Sequence, residues 1–151
     1  MLAGMDDRDC VFCGIFRRDV PGSWIYEDES IAVIMTIGPV TPGHAMVLPK
    51  AHVPLLADLS EEDGRHLFTV TQRTAEAIRR SGLRCEGVNL FLADGEAAFQ
   101  EIGHLHMHVF PRFAGDPFKL VADWDVKPPR AELDENAASI REAYRRLWEG
   151  A

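Results

Sequence analysis

In the stretch His104-Leu105-His106-Met107-His108-Val109-Phe110, every second residue from 104 to 108 is a histidine. Alternation with a period of two is typical of a β-strand, and it predicts a strand over residues 104–111. Successive side chains of a strand point to opposite faces, so the three histidines share one face and Leu105 and Val109 share the other. At about 3.3 Å per residue, His104 and His108 would lie roughly 13 Å apart. The stretch therefore predicts an extended row of imidazoles over an apolar core.

A row of imidazoles can divide the steps of a phosphoryl reaction, because imidazole titrates near neutral pH. One neutral ring can attack phosphorus, while another stabilises charge on the phosphoryl oxygens or protonates the leaving group. The alternative is a solvated strand face without a chemical role. The chain has six histidines, and three within five positions favour the functional interpretation.

The patterns on either side of this stretch predict the rest of the fold. Alternating and β-branched runs predict strands at residues 24–28, 31–35, 44–48 and 88–92. Ser60 begins a long helix with a helical apolar stripe, and Ser81-Gly82 ends it. A second apolar stripe predicts a helix at about residues 131–149. The fold class is α+β, with a five-stranded, mainly antiparallel sheet, one long central helix and a C-terminal helix.

Length and charge narrow the range of functions. We expect one domain over residues 1–151, with its core at about 10–112 and a C-terminal extension. The net charge of −8 argues against binding to nucleic acid or to an anionic membrane. The start, Met1 to Asp9, is too short and acidic for a secretory signal. Three cysteines suit a reducing compartment, so we expect a cytoplasmic protein.

A second cluster of metal-binding residue types lies near the start of the chain. Cys10 and Cys13 have the spacing of half a zinc site, but a second Cys-x-x-Cys pair is absent. Histidines often complete such sites, and His52 and His104 are the available candidates. Spacing alone does not select these two, and two unligated thiols are the alternative.

These residues together resemble the histidine triad (HIT) family, in its Hint-like bacterial branch with a zinc site. The resemblance extends from about Cys10 to Arg112. Its main motif is His104-x-His106-x-His108-x-Phe110. Supporting motifs follow the family order, and they are Cys10-Val11-Phe12-Cys13-Gly14-Ile15, Tyr26-Glu27-Asp28, Pro39-Val40-Thr41-Pro42-Gly43-His44, Leu48-Pro49-Lys50-Ala51-His52 and Gln100-Glu101.

The resemblance implies a HIT-like fold, a homodimer with a continuous sheet, and a purine nucleotide as the substrate. His106 matches the nucleophile that becomes nucleotidylated, oriented by the backbone carbonyl of His104. His108 and His44 match the histidines around the phosphate, and Gln100 matches a residue beside the bridging or leaving atom. The expected activity is that of a nucleotide hydrolase or transferase acting on a phosphoramidate, acyl-adenylate or dinucleotide.

The resemblance also resolves the metal ligands. Zinc-bearing relatives place the metal on residues that match Cys10, Cys13, His52 and His104. Four protein ligands leave no open position, so the implied zinc is structural. No organic cofactor is expected.

The pocket predicted from the resemblance departs from the family pattern at several positions. Thr36 replaces an aspartate that holds the ribose, Ala93 an asparagine, Phe99 a glycine, and Glu101 a small hydroxylated residue. Glu101 would favour a phosphoramidate or aminoacyl-adenylate over a dinucleoside polyphosphate. The apolar residues that match the base pocket are Phe12, Ile15, Val20, Ile34 and Ile37.

Two other functions remain open from the sequence. In the first, His104, His106 and His108, or His44, hold a catalytic zinc whose open position binds a water molecule. In the second, the protein binds nucleotides without turnover, because the residues at positions 36 and 93 no longer match the family pattern. The intact histidine row argues against this second alternative.

Overall fold

The computed structural model describes residues 7–149. Its strands are β1 (Trp24–Glu27), β2 (Ile31–Met35), β3 (Ala45–Pro49), β4 (Gly87–Leu92) and β5 (Met107–Arg112). Its α-helices are α1 (Val11–Phe16), α2 (Glu61–Arg80) and α3 (Arg130–Trp148). The prediction for Met1–Asp9 falls mostly on residues 1–6, which lie outside the described residues. No helix within residues 7–149 combines the length and apolar character needed to cross a membrane.

Two compact units divide the described chain after Phe118. The first contains a five-stranded sheet with the order β1-β2-β3-β5-β4, in which every neighbouring pair is antiparallel. The second contains α3. The α+β class, the antiparallel sheet and the two long helices are confirmed.

The centre of the sheet is buried on both faces. Every residue of β2 and β3 is buried except Met35, which is half-buried. One face of these strands, with Ile31 and Val47, packs against Leu67 and Val70 of α2. The opposite face packs against α1. The cluster between them contains Cys10, Phe12, Cys13 and Ile15 from the α1 segment, and Ile34, Met46 and Leu48 from the strands. The sheet therefore separates the long helix from the face that carries α1.

The long helix begins and ends close to the predicted positions. The Ser60 hydroxyl accepts a hydrogen bond from the backbone N–H of Asp63 at 3.1 Å, which satisfies one free donor of the first turn. Ser81 ends the helix and Gly82 follows with φ +86°, a conformation that glycine adopts readily.

The fifth strand begins later than predicted. It starts at Met107, so the prediction of one strand over His104, His106 and His108 is wrong for its first three residues. The backbone N–H of Leu105 donates instead to the carbonyl of Val53 at 2.7 Å. The pairing of β3 with β5 ends at Val47 and Met107. Further along β3, Pro49 has no N–H for a ladder, and its carbonyl accepts from the His104 ring at 2.8 Å.

Helix α1 is an element that the sequence pattern does not predict. It has only six residues, too few to show a helical period. Its residues Phe12, Cys13 and Ile15 are buried. It therefore covers the sheet face opposite α2 and forms one wall of the site described below.

Candidate active site

A cavity of about 460 Å³ opens on the face of the sheet that carries α1. His44 lies just before β3, His108 lies on β5 and pairs with Met46, and His106 lies in the segment leading into β5. All residues predicted as catalytic or nucleotide-binding line this cavity, except Gln100. They are His44, His106, His108, Phe12, Ile15, Val20, Ile34, Thr36, Ile37 and Glu101. The structure thus brings together most of the residues that the sequence selects.

His106 is held in one orientation by the main chain. Its Nδ1 lies 2.7 Å from the backbone carbonyl oxygen of His104. A carbonyl oxygen only accepts, so Nδ1 carries the proton and Nε2 keeps its lone pair. The ring is 8% exposed and packs beside the Phe12 ring at a centroid distance of 5.2 Å. Burial lowers the pKa of His106, which favours the neutral form that a nucleophile needs.

His44 and His108 form a hydrogen-bonded pair with a defined direction. The backbone N–H of Val40 donates to His44 Nδ1 at 3.4 Å, so the His44 proton is on Nε2. That N–H donates to His108 Nδ1 at 2.9 Å. Nε2 of His108 then carries its own proton and is left as a donor. The pair can offer a hydrogen bond to an oxygen or to a departing nitrogen.

Both rings of this pair are neutral over a wide pH range. Burial lowers the pKa of His44 to about 4, and it lowers the pKa of His108 to about 4 with a smaller contribution from the neighbouring imidazoles. An unfolded chain would titrate these groups near the ordinary value of 6.5. Protons therefore bind more tightly to the unfolded chain than to the folded one.

We expect this difference to make the fold sensitive to acid. As the pH falls from about 6.5 to about 4, protonation of the unfolded chain at these two groups lowers the free energy of unfolding by on the order of 5 kcal/mol in total. Above pH 6.5 the two groups contribute no pH dependence, because they are neutral in both states. Urea denaturation at a series of pH values measures the effect.

The variant His44→Gln supplies the comparison for this experiment. It removes one titrating ring, so its free energy of unfolding should fall less steeply than that of the wild type between pH 6.5 and 4. Equal slopes in the two proteins would contradict the proposed contribution of His44.

Gln100 does not line the cavity in this structure. Its side-chain carbonyl accepts from the backbone N–H of Gly95 at 2.7 Å. Its amide donates to the carbonyls of Pro54 at 2.7 Å and Ile102 at 3.0 Å. The side chain is 4% exposed. These contacts make Gln100 an anchor for the loop between β4 and β5.

The four predicted metal ligands converge beside the cavity. Ligand atoms of Cys10, Cys13, His52 and His104 all lie within 4.8 Å of one another. Cys10 Sγ lies 3.4 Å from His104 Nδ1, and Cys13 Sγ lies 3.4 Å from His52 Nδ1 and 3.6 Å from His104 Nδ1. Tetrahedral zinc, with bonds of about 2.3 Å to sulfur and about 2.0 Å to nitrogen, separates such atoms by roughly 3.5 Å. The cluster is therefore compatible with zinc.

The tautomer of His104 and the pKa of the Cys13 thiol are also compatible with a bound metal. The ring of His104 donates from Nε2 to the carbonyl of Pro49 at 2.8 Å, which leaves Nδ1 with a lone pair toward the thiols. Burial, together with Cys10, raises the pKa of the Cys13 thiol to about 12. A cation is what turns such a thiol into a thiolate ligand.

Several residues of the cavity are not predicted by sequence reasoning. Phe91 is one of them, and it pairs directly with His108 across β4 and β5. Strand register, which the sequence does not give, is the signal that would have identified it. The other such residues are Val11, Pro21, Met35, Gly38, Met46 and Ile102.

Comparison with known proteins gives consistent results. A sequence model of the HIT domain matches residues 17–115. Protein hit of Bacillus subtilis is 36% identical over 138 residues, which cover 88% of this chain and 92% of that protein. An adenylylsulfatase of Arabidopsis thaliana is 30% identical over 139 residues, which cover 92% of this chain and 69% of that protein.

A solved structure shares both the fold and much of the sequence. The zinc-bound histidine triad family protein of Mycobacterium smegmatis superimposes with a TM-score of 0.72 at 40% sequence identity. The superposition covers 91% of this chain and 99% of that one.

Proposed function

The chain belongs to the histidine triad (HIT) family, and from that membership we propose that it is a nucleotide hydrolase or nucleotidyl transferase. We assign His106 as the nucleophile that attacks a nucleoside 5′-phosphoryl group. The family supports nucleotide binding and hydrolase-type activity in general. The specific chemistry is argued from the contacts in the cavity.

One observation carries the proposal, the hydrogen bond from His106 Nδ1 to the carbonyl of His104. It supplies a neutral imidazole with its Nε2 lone pair free, which is the form that attacks phosphorus. The ring lines a cavity large enough for a nucleotide. A surface histidine without a chemical role has no need of burial or of a fixed tautomer.

The proposed reaction has two displacements at phosphorus. In the first, a bond forms between His106 Nε2 and phosphorus, and the bond from phosphorus to the leaving atom breaks. The leaving group takes the electron pair and, where it is an amine, the proton of His108 Nε2, which the acceptor of the second step gives back. In the second, water or another acceptor attacks the nucleotidyl-imidazole, releases the nucleotide and restores His106.

His44 and His108 are proposed to act on the phosphoryl group and the leaving atom. The hydrogen-bond chain from the Val40 N–H through His44 leaves His108 Nε2–H as a donor. A donor fixed before the reaction stabilises charge as it develops and requires little reorganisation. Gln100 is proposed to act only by positioning, because its polar atoms are hydrogen-bonded to the backbone of Gly95, Ile102 and Pro54.

The apolar wall of the cavity is proposed to hold the purine base. Phe12, Ile15 and Ile34 are buried, while Val20 and Ile37 are exposed at the opening. Thr36 Oγ1 accepts from the backbone N–H of Gly38 at 3.3 Å. It is a smaller polar group than the aspartate it replaces, so we propose that ribose binding relies less on this position.

A structural zinc on Cys10, Cys13, His52 and His104 is proposed to tie α1 to the sheet. The relative from Mycobacterium smegmatis is zinc-bound, and the donor set here suits the same metal. The ion would supply only fixation, because four protein ligands fill its tetrahedral shell. Pairing of two copies into a homodimer and location in the cytoplasm stay predictions. In support of pairing, edge strand β4 exposes Leu90 and Phe91.

The geometry argues against the alternative of a catalytic metal on the histidine row. Within residues 7–149, one group of three or more His, Cys, Asp or Glu side chains is close enough to hold a metal. It consists of Cys10, Cys13, His52 and His104, and we call it the Cys10 cluster. His104 belongs to that cluster, and both of its ring nitrogens are engaged there or at Pro49.

Trapping of the intermediate tests the proposal. The protein is mixed briefly with adenosine phosphoramidate, quenched, and measured by intact-protein and peptide mass spectrometry. We expect a gain of one nucleotidyl group that maps to the peptide containing His106. Turnover without any adduct, abolished by a chelator under conditions where the fold persists, would favour a metal-activated hydroxide instead.

A further inference from the structure

The cavity has an unusual distribution of charge for a phosphate-binding site. Among the described residues that line it, Glu101 is the one fully charged side chain, and no lysine or arginine is present. Burial lowers the pKa of His44 and of His108 to about 4, so these two rings add no positive charge near neutral pH. No ion pair to Glu101 is formed within residues 7–149. A substrate with several negative charges would meet a carboxylate and no compensating cation.

Glu101 is exposed at the opening beside a second unusual residue, Phe99. Phe99 is 83% exposed, and its backbone has φ +66°, a conformation that residues other than glycine rarely adopt. Between them, Gln100 is buried and forms three hydrogen bonds to the backbone, two within its own loop and one to Pro54 in the segment after β3. This anchor holds the segment so that Phe99 and Glu101 both line the cavity. An apolar ring and a carboxylate thus stand at one side of the opening.

We propose that Phe99 and Glu101 form a leaving-group subsite that selects substrates whose leaving group carries a positive charge. The inference rests on the proposed function, because it assigns specificity to the same reaction. The carboxylate attracts an ammonium group, and the face of an aromatic ring attracts the same cation within about 6 Å. The substrate class is a nucleoside phosphoramidate or acyl phosphate whose departing part bears an amine that does not react.

The subsite also explains which substrates are disfavoured. A dinucleoside polyphosphate carries its negative charges in the leaving group, where Glu101 repels them. For the favoured phosphoramidate, the His106–phosphorus bond forms and the phosphorus–nitrogen bond breaks. The reacting nitrogen leaves with the electron pair, takes the proton of His108 Nε2 and departs as a diamine, and the water that attacks in the second step returns that proton to His108. The remote ammonium keeps its charge throughout and serves only for recognition.

Two matched substrates isolate this charge. They are adenosine phosphoramidates of trimethylenediamine and of butylamine, which differ by an ammonium in place of a methyl group. We expect the wild type to show a kcat/KM about fivefold higher for the cationic substrate, the effect of one partly exposed charge pair. The preference should weaken with added salt, since such a pair is screened.

Variants assign the preference to the two residues. Glu101→Gln should bring the ratio of the two kcat/KM values close to one, and Glu101→Lys should invert it. Phe99→Leu keeps an apolar side chain and should reduce the ratio about twofold, through loss of the ring. Glu62→Gln, at an exposed carboxylate in the first turn of α2, is the control and should keep the wild-type ratio.

A binding measurement separates this inference from the proposed function. Adenosine sulfamates that carry the same two chains lack phosphorus, and calorimetry gives their affinities without turnover. A preference for the cationic analogue that Glu101→Gln removes supports the subsite, even if no nucleotidyl adduct is found. Equal affinities of the wild type for the two analogues, or an unchanged preference in Glu101→Gln, would overturn it. Turnover of both amidates at equal rates would overturn the subsite and leave His106 chemistry intact.

Discussion

Replacement of His106 by alanine will lower kcat for a nucleoside phosphoramidate by roughly 10⁴-fold or more, and it will abolish the nucleotidyl adduct. The variant lacks the proposed nucleophile, and without it the proposed covalent intermediate does not form. The remaining groups still bind the nucleotide and donate hydrogen bonds, so the affinity for a nucleoside monophosphate should change only a few-fold. Single-turnover kinetics and intact mass measure the two effects.

The control for this variant is another histidine. His66 lies on α2 with its Nε2 2.7 Å from Asp28 Oδ2 and does not line the cavity. His66→Gln should keep kcat within about twofold of the wild type. Because His106 is nearly buried, circular dichroism and thermal unfolding must show that His106→Ala is folded. A folded His106→Ala that keeps a tenth of the activity would exclude His106 as the nucleophile.

Removal of the metal from zinc-loaded protein will lower the melting temperature by roughly 10 °C. A ligand present at about a thousand times its dissociation constant stabilises the native state by about 4 kcal/mol. For a chain of this size, each kcal/mol shifts the melting temperature by about 2–4 °C. Thermal unfolding with and without a chelator, alongside metal analysis, measures the shift.

Cysteine variants show whether the shift belongs to the proposed cluster. Cys13→Ser removes a ligand, so its melting temperature should be low and should not respond to the chelator. Cys85→Ser is the control, because the Cys85 thiol contacts the carbonyl of Gly87 at 3.2 Å, away from the cluster. It should respond like the wild type. A chelator response that persists in Cys13→Ser would place the metal elsewhere.

The sequence predicts the elements that have a strong periodic pattern. The apolar stripe of α2, with Leu67 and Val70, and the run of β-branched residues in β2 are visible because they extend over several repeats. The short helix α1 has no room for such a repeat. The start of β5 is set by Pro49 on a neighbouring strand, a long-range effect that local alternation does not contain.

Some features of the candidate site are likewise predicted from the sequence, and others are not. Residue types and the family resemblance select His106, His108 and the Cys10 cluster, and the structure brings them together. The contacts of Gln100 with Gly95, Ile102 and Pro54 do not follow from the sequence, because each of these partners is a backbone group. Backbone carbonyls and N–H groups are the same at every position, so no sequence pattern reports them.

The double use of His104 has a consequence for how the site can evolve. Its side chain faces the thiols, whereas its main-chain carbonyl orients His106. A change of codon can delete the imidazole but never the carbonyl, which every amino acid carries. Substitutions can therefore remove the proposed metal ligands one at a time, while the carbonyl that fixes the tautomer of His106 is retained. The orientation of the His106 ring is thus preserved when residue 104 is substituted, whereas the proposed metal site is not.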